Sequence, residues 1–402
     1  MTAAPLLDGV RVLDVTNVLA GPFAGYQLSL LGADVIKVEL PGTGDLARQL
    51  GADADLGDEH LGVSFLAQNA GKRSLTVNLK HPQGKEVFHR LVEQADVLLE
   101  NFRPGVLDRL GFGWPALREI NPGLVYCAVS GFGATGPSSS RPAYDQVIQG
   151  LSGIMSVTGT PETAPIRVGY PVCDSIGGFA AAFAISSALL RKERTGDGAF
   201  LDVSMLDAAL TTMGWVVSDH LIAGREPVAM ANENRTSAPS GTFDTAEGKL
   251  NIAANKQEQF EILCDVLGRP DLVHDPRFRT RDDRKQNRDL LRIELEITLR
   301  TRSAAEWDAI LLPTGVPAAP VVSVPEALRS AQVTHRKLVS VVPSPAKGGG
   351  DLPLLGSPTH VDGSPVSPSS PPPLLGEHTD DILADLGYNP SDVARLRKEG
   401  AV

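Results

Sequence analysis

The first half of the chain alternates short apolar segments with segments of helical periodicity. Residues 10–15 form an apolar run of strand length, residues 24–31 have a helical pattern, and residues 34–39 form a second apolar run. Two strands joined by a helix in this way make a βαβ unit with parallel strands. The alternation continues with predicted strands at 73–79, 96–99 and 124–130. It predicts an α/β fold in which a large Rossmann-like domain is built on a doubly wound parallel sheet.

The loops that follow these strands carry positive charge. Ligands of such sheets bind at the carboxyl ends of the strands. The loops that begin there are 17–22, 80–82, 101–105 and 131–137. Lys80, Arg103 and Arg109 lie in or beside them, although the formal net charge of the chain is -11. One such side chain is typical of a solvated surface, whereas three near strand ends indicate a polyphosphate ligand.

The first loop fits a dinucleotide site poorly. It is rich in glycine at 20–25 but lacks the GxGxxG pattern, and Pro22 removes a backbone N–H that should face a pyrophosphate. Glu39 ends the second strand as the ribose-binding acid of that fold does, but such a residue is more often an exposed strand-end charge.

The composition is that of an ordinary soluble protein. Of the 402 residues, 42% are hydrophobic and 21% are charged, and the net negative charge disfavours nucleic-acid binding. Residues 1–10 do not resemble a signal peptide and no apolar run approaches twenty residues, so we expect a cytoplasmic protein without a membrane segment. Three widely spaced cysteines fit neither a disulfide framework nor a zinc site, and we expect Cys173 to be a packing residue.

The sequence pattern changes after Gly224, where a polar linker leads to a new set of predicted elements, and this change indicates a second domain. The predicted parts are a large domain at 1–205 and 330–402, a linker helix at 206–227 and a small α+β domain at 228–322. Residues 348–373 are rich in glycine, proline and serine and are predicted to be loop-like. A final helix is predicted from about residue 380 to 386.

One carboxylate, Asp174, stands just before a helix of small apolar residues. It belongs to the turn-rich segment 169–178, and the helix is predicted at 176–190, too short to cross a bilayer. At this position an aspartate is most often an N-cap that satisfies free backbone N–H groups. The alternative is a nucleophile that the positive end of the helix keeps ionised in a partly desolvated site.

Seven motif segments, in this order, resemble the family III (CaiB/BaiF) CoA-transferases almost from end to end. They are LDVT at 13–16 with LAGP at 19–22, LGADVIKVE at 31–39, GKRS at 71–74, ADV at 95–97 with ENFRPG at 100–105, SGFGATGP at 130–137, RTGDG at 194–198 and PLLGEHT at 373–379. The resemblance implies a large domain built from both chain ends, an inserted small domain and an interlocked homodimer. It also implies acyl-CoA and carboxylic acid substrates, with no metal and no tightly bound cofactor.

The resemblance assigns roles to individual residues. Asp174 is the position that a donor acyl-CoA acylates in this family. The implied CoA contacts are Leu19, Ala20, Asn78, Lys80, Asn101, Phe102, Arg103, Arg109, Tyr144 and Asp145. Many members carry arginine directly after the glutamate of the second strand, where this chain has Leu40. Other residues must therefore supply part of the contacts with the nucleotide, or the nucleotide is bound more weakly.

The same fold also hosts 2-methylacyl-CoA racemases and epimerases. That branch resembles this chain with a His-Asp pair where Tyr144 and Asp145 stand. Racemisation needs two opposed acid–base groups. Tyrosine, with an unperturbed pKa of about 10, is a poor base near neutrality. The missing histidine favours transfer. The non-catalytic alternative is a CoA-binding or NAD-binding module without turnover, in which Asp174 is only a helix cap.

The implied chemistry forms a mixed anhydride on Asp174 and then an aspartyl-CoA thioester. Because both hydrolyse, the site must exclude water. Small residues that include Gly177 and Gly178 let backbones close around the carboxylate, and we expect backbone N–H groups there to hold the oxyanion.

The substrate is less constrained by the sequence. The segment 18–23 resembles members that move CoA between succinyl-CoA and other small dicarboxylic acids, whereas formyl-CoA:oxalate enzymes favour glutamine at the position of Leu19. Arg235 is a candidate cation for a distal substrate carboxylate, against the more common role of a solvated linker arginine.

Overall fold

The computed structural model describes residues 5–402, which form two compact units. The first contains the chain up to Met155, together with Arg167–Pro227 and Ala331–Val402. The second contains Ser156–Ile166 and Val228–Ser330. The predicted inserted domain with its bounds, and the interlocked homodimer, stay predictions.

A six-stranded parallel sheet forms the centre of the first unit, with strand order β3-β2-β1-β4-β5-β6. The strands are β1 (Arg11–Asp14), β2 (Asp34–Glu39), β3 (Arg73–Thr76), β4 (Val97–Glu100), β5 (Val125–Ser130) and β6 (Ala199–Ser204). The central strands are apolar and covered on both faces, as in β1, where Val12 and Leu13 are fully buried. The predicted α/β class and parallel sheet are confirmed. The strand order reverses between β1 and β4, where α/β sheets of this kind bind ligands.

Helices cover both faces of this sheet. The helices that precede the second unit are, in chain order, α1 (Ala20–Leu30), α2 (Ala54–Asp58), α3 (Val63–Leu66), α4 (Pro82–Glu93), α5 (Val106–Leu110), α6 (Trp114–Ile120), α7 (Asp145–Leu151), α8 (Val172–Thr195), α9 (Met205–Thr212) and α10 (Trp215–Ala223). Apolar residues of α1 and α8 share a core with one face of the sheet, and those of α4 share a core with the other. The single linker helix predicted at 206–227 is instead two helices, because Gly214 adopts a positive φ of 54° between them.

Helix α8 is longer than predicted, with 24 residues instead of the stretch 176–190. By length and composition alone it could cross a membrane, a test that core helices of soluble proteins also pass. Half of its most apolar stretch is buried within the protein, where it packs on α1, α9 and the sheet. The prediction that this helix is too short to span a bilayer was wrong, and the cytoplasmic location stays a prediction.

Buried ion pairs fix the strand ends near α1. Lys72 pairs with Asp14 at 2.8 Å, Lys37 pairs with Asp45 at 2.9 Å, and the Arg48–Glu39 distance is 2.7 Å. All six side chains are buried. The Lys72 ammonium also donates to the carbonyl oxygen of Pro22, which ties α1 to the sheet. Such pairs specify geometry, because removing one partner leaves an uncompensated buried charge.

The second unit has its own core around a three-stranded antiparallel sheet. Its strands and helices are β7 (Ser240–Asp244), β8 (Lys249–Ala253), α11 (Gln257–Val266), α12 (Asp271–His274), α13 (Arg281–Gln286), α14 (Arg288–Leu299), α15 (Ala304–Leu311), β9 (Ala318–Pro320) and α16 (Val324–Leu328). The fully buried rings of Phe260 and Phe278 lie in this core.

The C-terminal part returns to the first unit and is more regular than predicted. Its elements are α17 (Ala331–His335), β10 (Val339–Pro343), β11 (Asp351–Leu355), β12 (His360–Val361), β13 (Ser364–Pro365), α18 (Thr379–Asp385) and α19 (Pro390–Lys398). The prediction that 348–373 is loop-like was wrong for the strand residues, since β11 pairs with β10 and β12 with β13, and it is confirmed for 366–373, which contain no helix or strand. Prolines are tolerated in such two-stranded ribbons, where one edge needs no ladder bond.

We predict that Gly178→Ala destabilises the protein. A Cβ at Gly178 would lie 2.7 Å from the Ala20 carbonyl oxygen and 2.8 Å from the Phe23 ring. The overpacking should lower the free energy of unfolding by about 1–3 kcal/mol, although alanine gains roughly 1 kcal/mol in helix propensity. Gly169→Ala is the matched control, because nothing lies within 4 Å of that Cβ. Urea unfolding of both variants measures the difference, and equal stability would contradict this packing.

Candidate active site

Asp174 lies in the first turn of α8, where it is the third residue of the helix. The helix starts at Val172 and Pro171 occupies the cap position without a side-chain cap. The prediction that Asp174 is the N-cap was therefore wrong. The sequence around 171 shows no capping residue because the cap comes from a distant part of the chain.

That cap is the carboxylate of Asp145, at the start of α7. Its Oδ1 accepts a hydrogen bond from the Cys173 N–H at 2.8 Å and a longer one from the Asp174 N–H at 3.4 Å. Asp145 is 8% exposed. Its predicted role as a CoA contact stays a prediction, while the structure uses its carboxylate to cap α8.

Gln149, which the sequence argument missed, orients Asp145. Its Nε2 donates to Asp145 Oδ2 at 2.7 Å, and its Oε1 accepts from the Val168 N–H at 2.8 Å. Asp145 and Gln149 are four residues apart on α7, a spacing that places both side chains on one helix face. That spacing was the available signal. Gln149 is buried, so this contact holds the segment before α8 against α7.

The Asp174 carboxylate is partly buried and chemically unsatisfied. Burial raises its pKa to about 7, and the nearby charge of Asp145 adds to the rise. Within residues 5–402 we find no hydrogen bond or ion pair to its side-chain oxygens. The ionised form is therefore a more basic, more nucleophilic carboxylate than an exposed aspartate.

The start of α1 lies beside the first turns of α8. Gly178, one turn after Asp174, packs against Ala20, and the rings of Phe23 and Phe179 meet edge to face at 4.8 Å. Gly177 and Gly178 lie inside α8, where their N–H groups serve helical hydrogen bonds. The expectation that these N–H groups hold an oxyanion was therefore wrong.

Two of the loops predicted to bind CoA are joined at the switch point of the sheet. The side-chain amide of Asn101, after β4, accepts from the Asn17 N–H at 2.8 Å and donates to the Asn17 carbonyl oxygen at 2.7 Å. The next residue, Val18, has a φ of 70°, which costs a β-branched residue energy. Its N–H donates to the buried carboxylate of Asp45 at 2.9 Å. The loop that contains Leu19 is thus held in one strained conformation.

The other predicted CoA residues lie at or near the same edge of the sheet. Lys80, Arg103 and Arg109 are exposed, Tyr144 is 66% exposed, and the Asn78 N–H donates to the Ala401 carbonyl oxygen. Their contacts with CoA stay predictions. Leu40 is 51% exposed. Arg235 belongs to the second unit, and its role towards a substrate stays a prediction.

Two alternative sites from the sequence do not fit. Glu39 is buried, pairs with Arg48 and accepts from the Ser74 hydroxyl, so it is neither a ribose-binding acid nor an exposed charge. Cys173 is buried in the core, and burial raises the pKa of its thiol to about 12, which confirms it as a packing residue. Among residues 5–402, no group of three or more histidine, cysteine or acidic side chains is arranged to hold a metal ion.

Nearly the whole chain matches known proteins. Residues 7–379 match the family model described as CoA-transferase family III. The acetyl-CoA:oxalate CoA-transferase of Acetobacter aceti is 41% identical over 357 residues, which cover 89% of this chain and 89% of that protein. The succinate–glutarate CoA-transferase of Agrobacterium fabrum is 36% identical over 390 residues, which cover 95% of this chain and 96% of that protein.

Solved structures agree with this match. A crystal structure of a CAIB/BAIF family protein from Brucella suis is similar to this chain with a TM-score of 0.82 and 34% sequence identity. The similarity covers 96% of this chain and 100% of that one. The resemblance carried by the seven sequence motifs is confirmed, and the chain is an enzyme that belongs to the family III (CaiB/BaiF) CoA-transferases.

Proposed function

We propose that this enzyme transfers CoA from a short acyl-CoA to a small dicarboxylic acid through covalent intermediates on Asp174. One observation carries the proposal. The Asp174 carboxylate is partly buried at the start of α8, has a pKa of about 7, and makes no hydrogen bond within residues 5–402. A carboxylate in this state is available for attack on a carbonyl carbon.

In the first half-reaction, an Asp174 oxygen attacks the thioester carbonyl carbon of the donor. The carbon–sulfur bond breaks and CoA leaves as a thiolate, so that Asp174 and the donor acyl group form a mixed anhydride. The thiolate then attacks the aspartyl carbonyl carbon. The donor acid leaves as a free carboxylate, and Asp174 holds CoA as a thioester.

The second half-reaction repeats these steps in reverse. The acceptor carboxylate attacks the aspartyl thioester, which releases the CoA thiolate and forms a new mixed anhydride. The thiolate attacks the acceptor carbonyl carbon, and the acceptor leaves as an acyl-CoA while the Asp174 carboxylate is restored. Each step exchanges one activated acyl bond for another, so no redox change is required. Water must stay out, because it would hydrolyse every intermediate.

Asp145 acts in this proposal as a positioning residue. By accepting the Cys173 and Asp174 N–H groups it fixes the backbone that carries the nucleophile, and its charge helps to keep the Asp174 pKa high. The negative charge that develops on the thioester oxygen needs another source of N–H donors. The start of α1 is our candidate, because Leu19 at its cap position makes no side-chain cap hydrogen bond.

The CoA portion would lie along the loops at the carboxyl edge of the sheet. Lys80, Arg103 and Arg109 are the exposed cations proposed to face its phosphates. Asn101 is tied to the Asn17 backbone, which supports a role in holding the Val18–Ala20 segment against the thioester arm. Leu40 offers no charge, so this enzyme should rely more heavily on the other cations.

The names of the relatives narrow the substrate class. Oxalate and glutarate, which appear in the names of two relatives, share two carboxylates although their chain lengths differ. Others are named for mesaconate and for citramalate, which are also dicarboxylic acids. We therefore propose a small dicarboxylate acceptor and an acetyl or succinyl donor. Arg235 is the proposed partner of the distal carboxylate.

Asp174→Ala and Asp174→Asn are expected to lower transfer by roughly a thousandfold or more, as removal of a covalent nucleophile does. Glu193→Gln, at the exposed end of the same helix, is the matched control and should keep full activity. Initial rates of acyl-CoA formation measure transfer, and binding of free CoA should be unchanged in all three variants. Full transfer by Asp174→Ala would exclude the proposed nucleophile.

The rate should depend on pH through the ionisation of Asp174. Because only the carboxylate attacks, kcat/KM is expected to fall about tenfold per pH unit well below pH 7. Asp145→Asn removes one cause of the raised pKa but keeps an oxygen that can accept the N–H groups, so the fall should move to lower pH. Burial remains, so the midpoint should stay above 3.8, the ordinary value. A profile that is flat from pH 5 to 8 with chemistry rate-limiting would contradict this.

Acceptor specificity can be tested by offering free acids with succinyl-CoA and measuring new acyl-CoA masses. We expect the enzyme to accept at least one of oxalate, glutarate and mesaconate as a substrate. Pentanoate, which has the chain length of glutarate but one carboxylate, should react at least about tenfold more slowly than glutarate, if glutarate is accepted. Inversion of a 2-methylacyl-CoA without exchange to any acid would instead support the racemase alternative.

A further inference from the structure

A cavity lies on the face of the sheet opposite the face that α8 covers. Its volume is about 250 Å³, and it is bounded by α5, α6 and the strands β4 to β6. Side chains alternate along β5, so that Tyr126 and Ala128 face this cavity while Cys127 and Val129 face the core that contains α8. The sheet therefore separates the cavity from the nucleophile.

The strand floor of this cavity carries the Glu100 carboxylate, and the exposed Asp202 carboxylate, which accepts from the Ala134 N–H, lies on the same sheet face beyond Ala128. In the parallel register Glu100 of β4 is opposite Ala128, and Ala128 is opposite Asp202 of β6. Asp108 of α5 adds a third carboxylate at the cavity wall. Like charges gathered on one face of a sheet are destabilising. Within residues 5–402 none of these three carboxylates has a salt bridge to a lysine, arginine or histidine.

Glu100 is the buried member of this group, with 7% of its surface exposed. Its Oε2 accepts from the Phe102 N–H at 2.7 Å, and within residues 5–402 we find no partner for Oε1. Burial raises the pKa of Glu100 to about 8, and Asp108 and Asp202 add to the rise against the Phe102 hydrogen bond. The charges around it thus favour an incoming cation.

Three aromatic side chains form much of the remaining wall, and the hydroxyls of Tyr126 and Ser130 add polar atoms to it. The rings of Trp114 and Tyr126 are 6.3 Å apart between centroids, and those of Tyr126 and Phe200 are 5.6 Å apart. The Arg118 guanidinium lies 5.8 Å from the Trp114 ring centroid. The buried Oγ of Ser130 lines the same cavity and has no hydrogen-bond partner in the described chain.

We propose that this cavity binds a small organic amine in its protonated, primary ammonium form. The ammonium N–H groups would donate to the free Glu100 oxygen and to Ser130 Oγ, two acceptors of this cavity that have no hydrogen-bond partner within residues 5–402. The rings of Trp114, Tyr126 and Phe200 would contact the apolar body and attract the cation through their faces. An anion such as a CoA phosphate would be repelled by the three carboxylates.

Isothermal titration of the full chain with phenethylammonium chloride tests this proposal, with 2-phenylethanol as an uncharged ligand of the same shape. We expect the amine to bind at least about tenfold more tightly than the alcohol. Glu100→Gln should weaken amine binding at least about tenfold. Glu119→Gln, a change at an exposed position of α6, should leave it unchanged.

A second measurement needs no variant. Because the bound ammonium favours ionised Glu100, affinity should rise between pH 6.5 and 8.5 and binding should release a proton. Asp108, Asp202, Tyr126 and Cys127 are the other titratable groups around Glu100. Equal binding of amine and alcohol, no binding of the amine, or its displacement by CoA would each overturn the proposal. Those outcomes leave the role of Asp174 untouched.

Discussion

The hydrogen bond between the Cys173 N–H and the Asp145 carboxylate determines how Asp174 is presented. Asp145 and Asp174 both lie at the positive end of α8, and within residues 5–402 only the Asp145 carboxylate accepts hydrogen bonds from the Cys173 and Asp174 N–H groups. Asp145 takes that role and is itself held by Gln149. Asp174 is left without a hydrogen-bond partner in the described chain, and burial together with the charge of Asp145 raises its pKa to about 7. The two carboxylates therefore have different environments and different roles: Asp145 caps the helix, and Asp174 is the proposed nucleophile.

The sheet supplies a rigid surrounding for this pair. The strand order reverses between β1 and β4, and the loops that follow these strands are joined there by Asn17 and Asn101. Buried ion pairs also fix this region. One carboxylate oxygen of Asp45 pairs with Lys37, and the other accepts a hydrogen bond from the N–H of the strained residue Val18. Close packing of Gly178 on Ala20 then brings the first turns of α1 and α8 together. Preorganisation of this kind costs stability locally and is typical of functional sites.

Local patterns predicted the fold well and the site less completely. The alternation of apolar strand segments with helical segments was enough to predict the parallel sheet, because strand and helix patterns repeat over only a few residues and can be read locally. The cap of α8 could not be read from its own sequence, because Asp145 is 28 residues away. The Asn17–Asn101 contact spans 84 residues and is equally hidden. The ribbon of β10 and β11 was missed because glycine and proline dominate the segment, whereas the pairing depends on distant partners. Asp174 was selected by family resemblance, and its N-cap placement was wrong.

Trapping of the covalent intermediate tests the central claim most directly. The enzyme would be incubated with a donor acyl-CoA in the presence of hydroxylamine, digested and analysed by mass spectrometry. Hydroxylamine attacks an aspartyl anhydride or thioester and converts the side chain to a hydroxamate. We expect this modification on Asp174 alone, and only when the donor is present. Modification of another residue, or continued transfer without any trapped aspartyl group, would contradict the proposed role of Asp174.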